Sequence, residues 1–171
     1  MKIDEVMTSN PACCLRTETA QKAAIIMLEL NVGVIPVLES DSSQKLVGLV
    51  TDRDLCMEVV ALGSDPTQVK LEDCMTTGLV TCHQNDDVEH VLHLMQENQV
   101  RRIPVVDDEQ RIVGIVATSD MVLCADLTPE EIDETIQDIS EPSLEEFQSL
   151  TGLVAMDAGA LLNVESQAPG I

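Results

Sequence analysis

The chain predicts an α/β class, in the α+β sense of helices on a small mixed sheet, and three observations carry that prediction. Apolar runs of strand length alternate with longer segments of helical periodicity. The alternation occurs twice in the same order. No apolar run approaches the roughly 18 residues of a membrane-spanning helix.

The first pass opens with an entry segment, residues 1–11, in which Ile3 to Met7 predicts one helical turn. Ala12 to Leu15 reads as a short strand. Thr17 or Thr19 caps a helix running to about Leu30, with Ala20, Ala23, Ala24, Met27, Leu28 and Leu30 as its apolar stripe. Asn31 and Gly33 are stop signals. Strands over 33–38 and 45–50 follow, parted by the polar turn Ser40 to Gln44. The second strand, Leu46-Val-Gly-Leu-Val, runs into Thr51-Asp-Arg-Asp54, where Thr51 or Asp52 caps a helix carrying Leu55, Val59 and Leu62 and fading at Gly63.

Residues 64–73 read as a linker, and the second pass then predicts a strand near 79–82 and a helix from about Asp86 to Asn98. Strands at 100–106 and 111–117 and a helix from about Ser119 complete it. The two passes match in detail. Val6-Met-Thr8 answers Cys74-Met-Thr76, and Val34-Ile-Pro-Val37 answers Arg102-Ile-Pro-Val105, both at an offset of 68 residues. Gly48 and Asp54 answer Gly114 and Asp120 at an offset of 66, so one two-residue deletion before Gln110-Arg111 reconciles them. Three ordered landmarks occurring twice define an internal repeat.

Beyond residue 125 the pattern changes. Thr128-Pro-Glu-Glu131 and Ser143-Leu-Glu-Glu146 are capping boxes opening short acidic helices, each with one narrow apolar stripe. Helices of that kind need a partner surface, and the stretch from Asn163 reads as frayed. The organisation expected is therefore repeat one over 1–63, linker 64–73, repeat two over 74–125 and an acidic tail over 126–171.

Net charge is −22, and all nine Lys and Arg lie at or before Arg111. Such a field repels nucleic acid and anionic membranes, and one Phe with no Trp or Tyr leaves no platform for base stacking. With no apolar leader at the N-terminus, a cytoplasmic location is expected. The six cysteines form no C-x-x-C pair and read as small apolar residues. Cys13 and Cys14 would point to opposite faces of a strand. His83, His90 and His93 lack an evident third metal ligand, so no metal site is expected.

The ordered landmarks, Met-Thr, then x-Ile-Pro-Val, then Gly-h-h-Thr-x-x-Asp, resemble those of the cystathionine-β-synthase (CBS) domain family over about residues 3–125. The resemblance implies two β-α-β-β-α units packed by pseudo-two-fold symmetry into a Bateman module, with clefts for adenosine ligands and a tendency to form homodimers. An adenosine nucleotide asks a cleft for a carboxylate to accept from its ribose diol, for apolar walls around its base and for a cation at its phosphate. Carried over by position, one cleft would combine Thr51 and Asp54 with Arg101 and Arg102. The other would combine Asp120 with Gly33 and Val34; it has Ala117 in place of the hydroxyl, with Thr118 adjacent, and no arginine. Cys13, Ile35, Pro36, Val37, Ile103 and Pro104 would pack the base.

The expected function is that of a non-catalytic regulatory module with AMP, ADP, ATP or NAD(H) as its ligand and no obligatory cofactor. The alternatives are that Arg101 and Arg102 only pair with surface carboxylates such as Asp107 or Glu97, and that the chain is a scaffold with empty clefts whose acidic tail docks a protein partner. An enzyme would need a nucleophile or paired-carboxylate motif, and none is recognisable.

Overall fold

A computed structural model describes residues 1–124. The acidic extension, with its expected helices, lies outside the described residues. A 3₁₀ turn at Ile3–Glu5 leads into β1 (Thr8–Ser9). Then come β2 (Cys14–Leu15), α1 (Ala20–Leu30), β3 (Val34–Leu38) and β4 (Leu46–Thr51). One α-turn, α2 (Asp52–Asp54), passes into a π-helix at Leu55–Val60. The second half holds α3 (Leu71–Cys74), β5 (Cys82–His83), α4 (Val88–Asn98), β6 (Arg102–Val106), β7 (Ile112–Ala117) and α5 (Thr118–Cys124). Both a β-α-β-β-α order and its duplication are present.

Local chemistry explains the boundaries. Thr19 caps α1, its Oγ1 accepting from the Lys22 N–H at 3.3 Å, and Asn31 ends it in the left-handed conformation at φ 53°. Gln99 ends α4 in the same way at φ 51°. The buried face of α1 is narrower than its apolar residues suggest: Ala20, Ala23 and Met27 are buried, whereas Ala24, Leu28 and Leu30 are exposed. Leu62, expected in phase with Leu55 and Val59, is exposed because the π-helix ends at Val60 and the chain turns out.

Each repeat builds its own sheet. In the first, β2 pairs parallel to β3, and β3 pairs antiparallel to β4. In the second, β5, β6 and β7 repeat that arrangement, and β1 joins the free edge of β7 with Thr8 opposite Ile115. The registers coincide, with Val37 opposite Gly48 and Val105 opposite Gly114, and each hairpin carries an irregularity one residue later. The two hairpin turns also meet, Leu46 N–H donating to the Gln110 carbonyl at 3.1 Å.

The leading segments are exchanged between the repeats. Ile3 is fully buried in the second repeat's core, among Val91, Met95, Ile103 and Val116. Its backbone N–H donates to the Asp86 carbonyl at 3.0 Å. Leu71 is fully buried in the first repeat's core, among Ala23, Ile35, Val37 and Val50, and its N–H donates to the Glu18 carbonyl at 2.9 Å. The stretch expected to be linker up to residue 73 therefore contains a helix anchored on repeat one.

That exchange explains why the Met-Thr landmark accompanies the glycine. Met75 lies across Gly48, so a Cβ added there would stand 2.9 Å from Met75 Cγ and 3.0 Å from the Thr76 carbonyl oxygen. Met7 lies across Gly114 in the same way, with the Thr8 carbonyl oxygen at 3.2 Å. Close approach of another chain segment is what admits only glycine here.

Candidate functional site

A cavity of about 420 Å³ opens between the repeats. Its first wall is the crossing segment Thr8, Asn10, Pro11 and Ala12, which leaves β7 and enters the first repeat. Its second is the end of α1 and the start of β3, through Asn31, Gly33, Val34 and Ile35. The third belongs to the second repeat: Ile115, Ala117, Ser119 and Asp120, with Arg102 from the neighbouring strand. The size falls within the range of small-molecule sites, about 300–1,000 Å³.

The polar groups are set by the local fold. Arg102 starts β6 directly opposite Ala117, so the antiparallel register carries its exposed side chain to the rim where the start of α5, just after β7, places Asp120. Asp120 is half-buried, and its Oδ2 accepts from the Ala117 N–H at 3.0 Å. Its Oδ1 has no hydrogen-bond partner among the described residues. The matching Asp54 is more fully engaged: its Oδ2 accepts from both the Thr51 N–H and the Thr51 hydroxyl at 2.8 Å, while Thr51 Oγ1 accepts from the Asp54 N–H at 3.1 Å. Thr51 and Asp54 thus close a capping box on α2.

The expected site residues are divided by the structure. Arg102, Asp120, Gly33, Val34 and Ile35 come together on the cavity, and Thr51, Asp54 and Arg101 are not among the residues lining it. The expectation that the Asp120 cleft lacks an arginine is corrected: Arg102 lines it from Asp120's own repeat, because β6 and β7 are adjacent strands. The proposed partner of that arginine, Asp107, is taken by Arg111 at 2.7 Å. Thr118 is directed elsewhere, its hydroxyl lying 3.3 Å from the Arg101 carbonyl oxygen and from Met95 Sδ.

Val37 and Ile103 are fully buried in the two cores, and Pro36 and Pro104 are buried within β3 and β6. Cys13 is half-buried beside the crossing segment, its thiol donating to the Pro11 carbonyl at 3.2 Å. Burial pushes that thiol up to about 11. The wall that sequence reasoning missed is Thr8 to Ala12. The signal for it was the Met-Thr landmark, whose pairing partner is invisible until β1 joins β7.

His90 and His93 are exposed on α4, and His93 Nδ1 lies 3.1 Å from Gln96 Oε1. Among the described residues no group of His, Cys, Asp and Glu is arranged to hold a metal ion, and no helix is long and apolar enough to cross a membrane.

Two sheets with exchanged leading segments and a cleft between them define a paired-repeat module, and comparison with known proteins agrees. The family model for the CBS domain matches residues 3–61 and 71–125. The chain belongs to the CBS-domain family. It is 39% identical to the uncharacterized protein YlbB of Bacillus subtilis (strain 168), over 82% of this chain and 92% of that protein. The CBS domain pair of protein MJ0100, solved in complex with 5-methylthioadenosine and S-adenosyl-L-methionine, superposes with a TM-score of 0.64 at 27% identity, covering 72% of this chain and 94% of that one. CBSX2, solved in complex with AMP, superposes at 0.62 with 26% identity over 72% of this chain and 94% of that one.

Proposed function

We propose that this chain is a non-catalytic regulatory module that binds an adenine nucleotide in the cavity between its repeats. The observation that carries this reading is that the cavity is walled by both repeats and presents one carboxylate, Asp120, and one guanidinium, Arg102, over an apolar wall containing Ile35 and Ile115. Asp120 Oδ1 is the acceptor for the ribose diol, Arg102 meets the phosphate, and the apolar wall takes the base. Neighbouring CBS pairs solved with adenosine ligands support the ligand class. A ligand that touches both repeats and the crossing segment stabilises the arrangement in which all three are in register, and its differential affinity for that arrangement is the regulatory signal.

The asymmetry between the two clefts follows from one side chain. Thr51 donates its hydroxyl to Asp54, whereas Ala117 has none to give to Asp120. Asp120 therefore keeps more acceptor capacity for a ligand, and it is the working carboxylate. Thr51, Asp54 and Arg101 serve the pseudo-symmetric cleft and are the internal control.

Thermal unfolding with and without nucleotide tests the reading. A ligand at a hundredfold excess over its Kd adds about 2.7 kcal/mol, enough to raise the midpoint by several degrees. The rise is expected in the wild type and in Asp54→Ala and is lost in Asp120→Ala. A rise that survives Asp120→Ala and disappears in Asp54→Ala moves the site to the other cleft. Turnover of the nucleotide, expected to be nil, is measured on the same samples.

A second surface supports self-association. Ile25 and Leu28 on α1 and Met57, Val60 and Leu62 around the π-helix are all exposed on the first repeat. The matching α4 of the second repeat shows Glu89, His90, His93 and Glu97 to solvent instead. An apolar face on repeat one, beside a polar α4 in repeat two, fits an isologous homodimer in which repeat one meets repeat one.

A further inference from the structure

We propose that Asn10 reads the edge of the bound base, and that its side-chain amide selects adenine over guanine and hypoxanthine. This rests on the nucleotide reading of the cavity and adds the group that tells one purine from another. Asn10 stands where the fold itself asks only for a backbone conformation. Its φ is 50°, in the left-handed region, and its N–H extends the β1–β7 pairing to the Val113 carbonyl at 3.1 Å. The matching residue of the second repeat, 68 positions on, is Gly78, also left-handed at φ 72°. Glycine meets that requirement at no steric cost, and asparagine is among the few other residues that tolerate it. What Asn10 adds over glycine is an amide. Asn10 lines the cavity, and its amide makes no hydrogen bond with any other described residue.

The strand registers place that amide at the base end of a nucleotide. Arg102 stands opposite Ala117, and Asp120 accepts from the Ala117 N–H, so both charged groups belong to the end of β7. Thr8 stands opposite Ile115, and Asn10 meets Val113, four residues before Ala117. Four residues of strand span about 13 Å. A nucleotide with its phosphate at Arg102 and its ribose at Asp120 therefore runs its base along β7 over Ile115, with Asn10 at the base's edge. The apolar wall holds any purine by its face, and only a polar group at the edge discriminates.

The chemistry of an amide names the base. Adenine presents the N6 amino donor beside the N7 acceptor, and one amide matches both with its oxygen and its NH2 group. Guanine and hypoxanthine present two acceptors there, O6 and N7, so the amide oxygen would face an acceptor. Thr8 and Ser119 also line the cavity, but a hydroxyl rotates to donate or accept and favours neither edge. Asn31, at the end of α1 on the facing wall, is a second amide and serves as the control.

Calorimetric titration of the full chain with AMP, GMP, IMP and 7-deaza-AMP, which differ only in the base, tests this. AMP is expected to bind at least about tenfold tighter than the other three. Asn10→Gly keeps the left-handed backbone, so folding is not at stake, and it is expected to bring all four within about threefold of one another. Asn31→Gly is equally compatible with its φ of 53° and is expected to keep the preference. A preference that survives Asn10→Gly overturns the role of Asn10, as does one lost only in Asn31→Gly. Binding of 7-deaza-AMP as tightly as AMP overturns the contact to N7. Equal binding of AMP, GMP and IMP by the wild type overturns base selection while leaving the nucleotide reading intact. Failure of every nucleotide to bind overturns the underlying reading itself.

Discussion

Gly48 and Gly114 show most directly how one position can hold the two repeats together. Each is the point where the leading segment of the other repeat crosses a strand, and each leaves space for a methionine side chain. Gly48→Ala forces a methyl group against Met75 Cγ and the Thr76 carbonyl oxygen, at 2.9 and 3.0 Å. Only the first can swing away, so the substitution is expected to cost about 1–3 kcal/mol, and Met75→Ala in the same chain restores part of it. Urea unfolding of the two variants measures both. The cysteines give a second prediction. Burial, reinforced by the Asp86 carboxylate, raises the Cys82 thiol from its ordinary 9.0 to about 12, and burial with Glu18 close by raises Cys14 to about 11. A raised thiol disfavours the folded state once the pH is high enough for the unfolded thiol to ionise, so the stability of the fold with both thiols protonated is pH-dependent. That stability is fully present below pH 9 and is lost as pH rises through about 11 to 12. Below pH 9, peptide mapping after brief alkylation is expected to find exposed Cys56 modified well before Cys14 and Cys82.

Two short elements that look dispensable tie the fold together. The 3₁₀ turn at Ile3–Glu5 and α3 at Leu71–Cys74 each deliver one fully buried aliphatic side chain into the core of the opposite repeat. Lys2 pairs with Asp87 at 2.9 Å and Arg16 with Glu72 at 2.8 Å at the matching edges. These exposed pairs contribute little beside the buried side chains. Ile3→Ala is expected to cost about 2–5 kcal/mol through the void it leaves among Val91, Met95 and Ile103. The loss is expected to show first as faster amide exchange in β6 and β7, which Ile3 and β1 cover, with β3 and β4 less affected. Equal acceleration in both sheets would mean that the two repeats unfold as one unit.

Taken whole, the molecule is pseudo-symmetric in its backbone and asymmetric in its surfaces. The two hairpins share a register, yet the first repeat exposes Leu28 at 82% and Val60 at 72%, where the second repeat's helix is polar. Leu28→Glu with Val60→Glu is expected to convert a dimer to a monomer in sedimentation velocity without lowering the thermal midpoint of the folded unit, since neither side chain enters the core. A monomeric wild type would remove the self-association reading and leave the apolar face to another partner.

Much was legible in the chain because repetition is a strong local signal. Alternating apolar runs, Thr19, Asn31 and the doubled glycine mark elements whose hydrogen bonds close within a few residues or across one hairpin, so helices α1 and α4 and the strand pairs β3–β4 and β6–β7 fall where their residues indicate. Asp120, Arg102 and Ile35 entered as candidates through the family resemblance, assigned there to two different clefts, and all three line the one cavity. The assignment of segments to cores was not legible. Ile3 and Leu71 are apolar residues in equivalent positions, and two cores of the same pattern accept either one. Which core each enters depends on the path of the chain between repeats, through contacts such as Ile3 with Asp86 and Leu71 with Glu18 that are distant in sequence and for which the local pattern carries no mark. The cavity has the same origin. Its walls come from three separated segments, and Arg102 lines the same cavity as Asp120 because β6 lies beside β7, a neighbour relation that exists only once the sheet has formed.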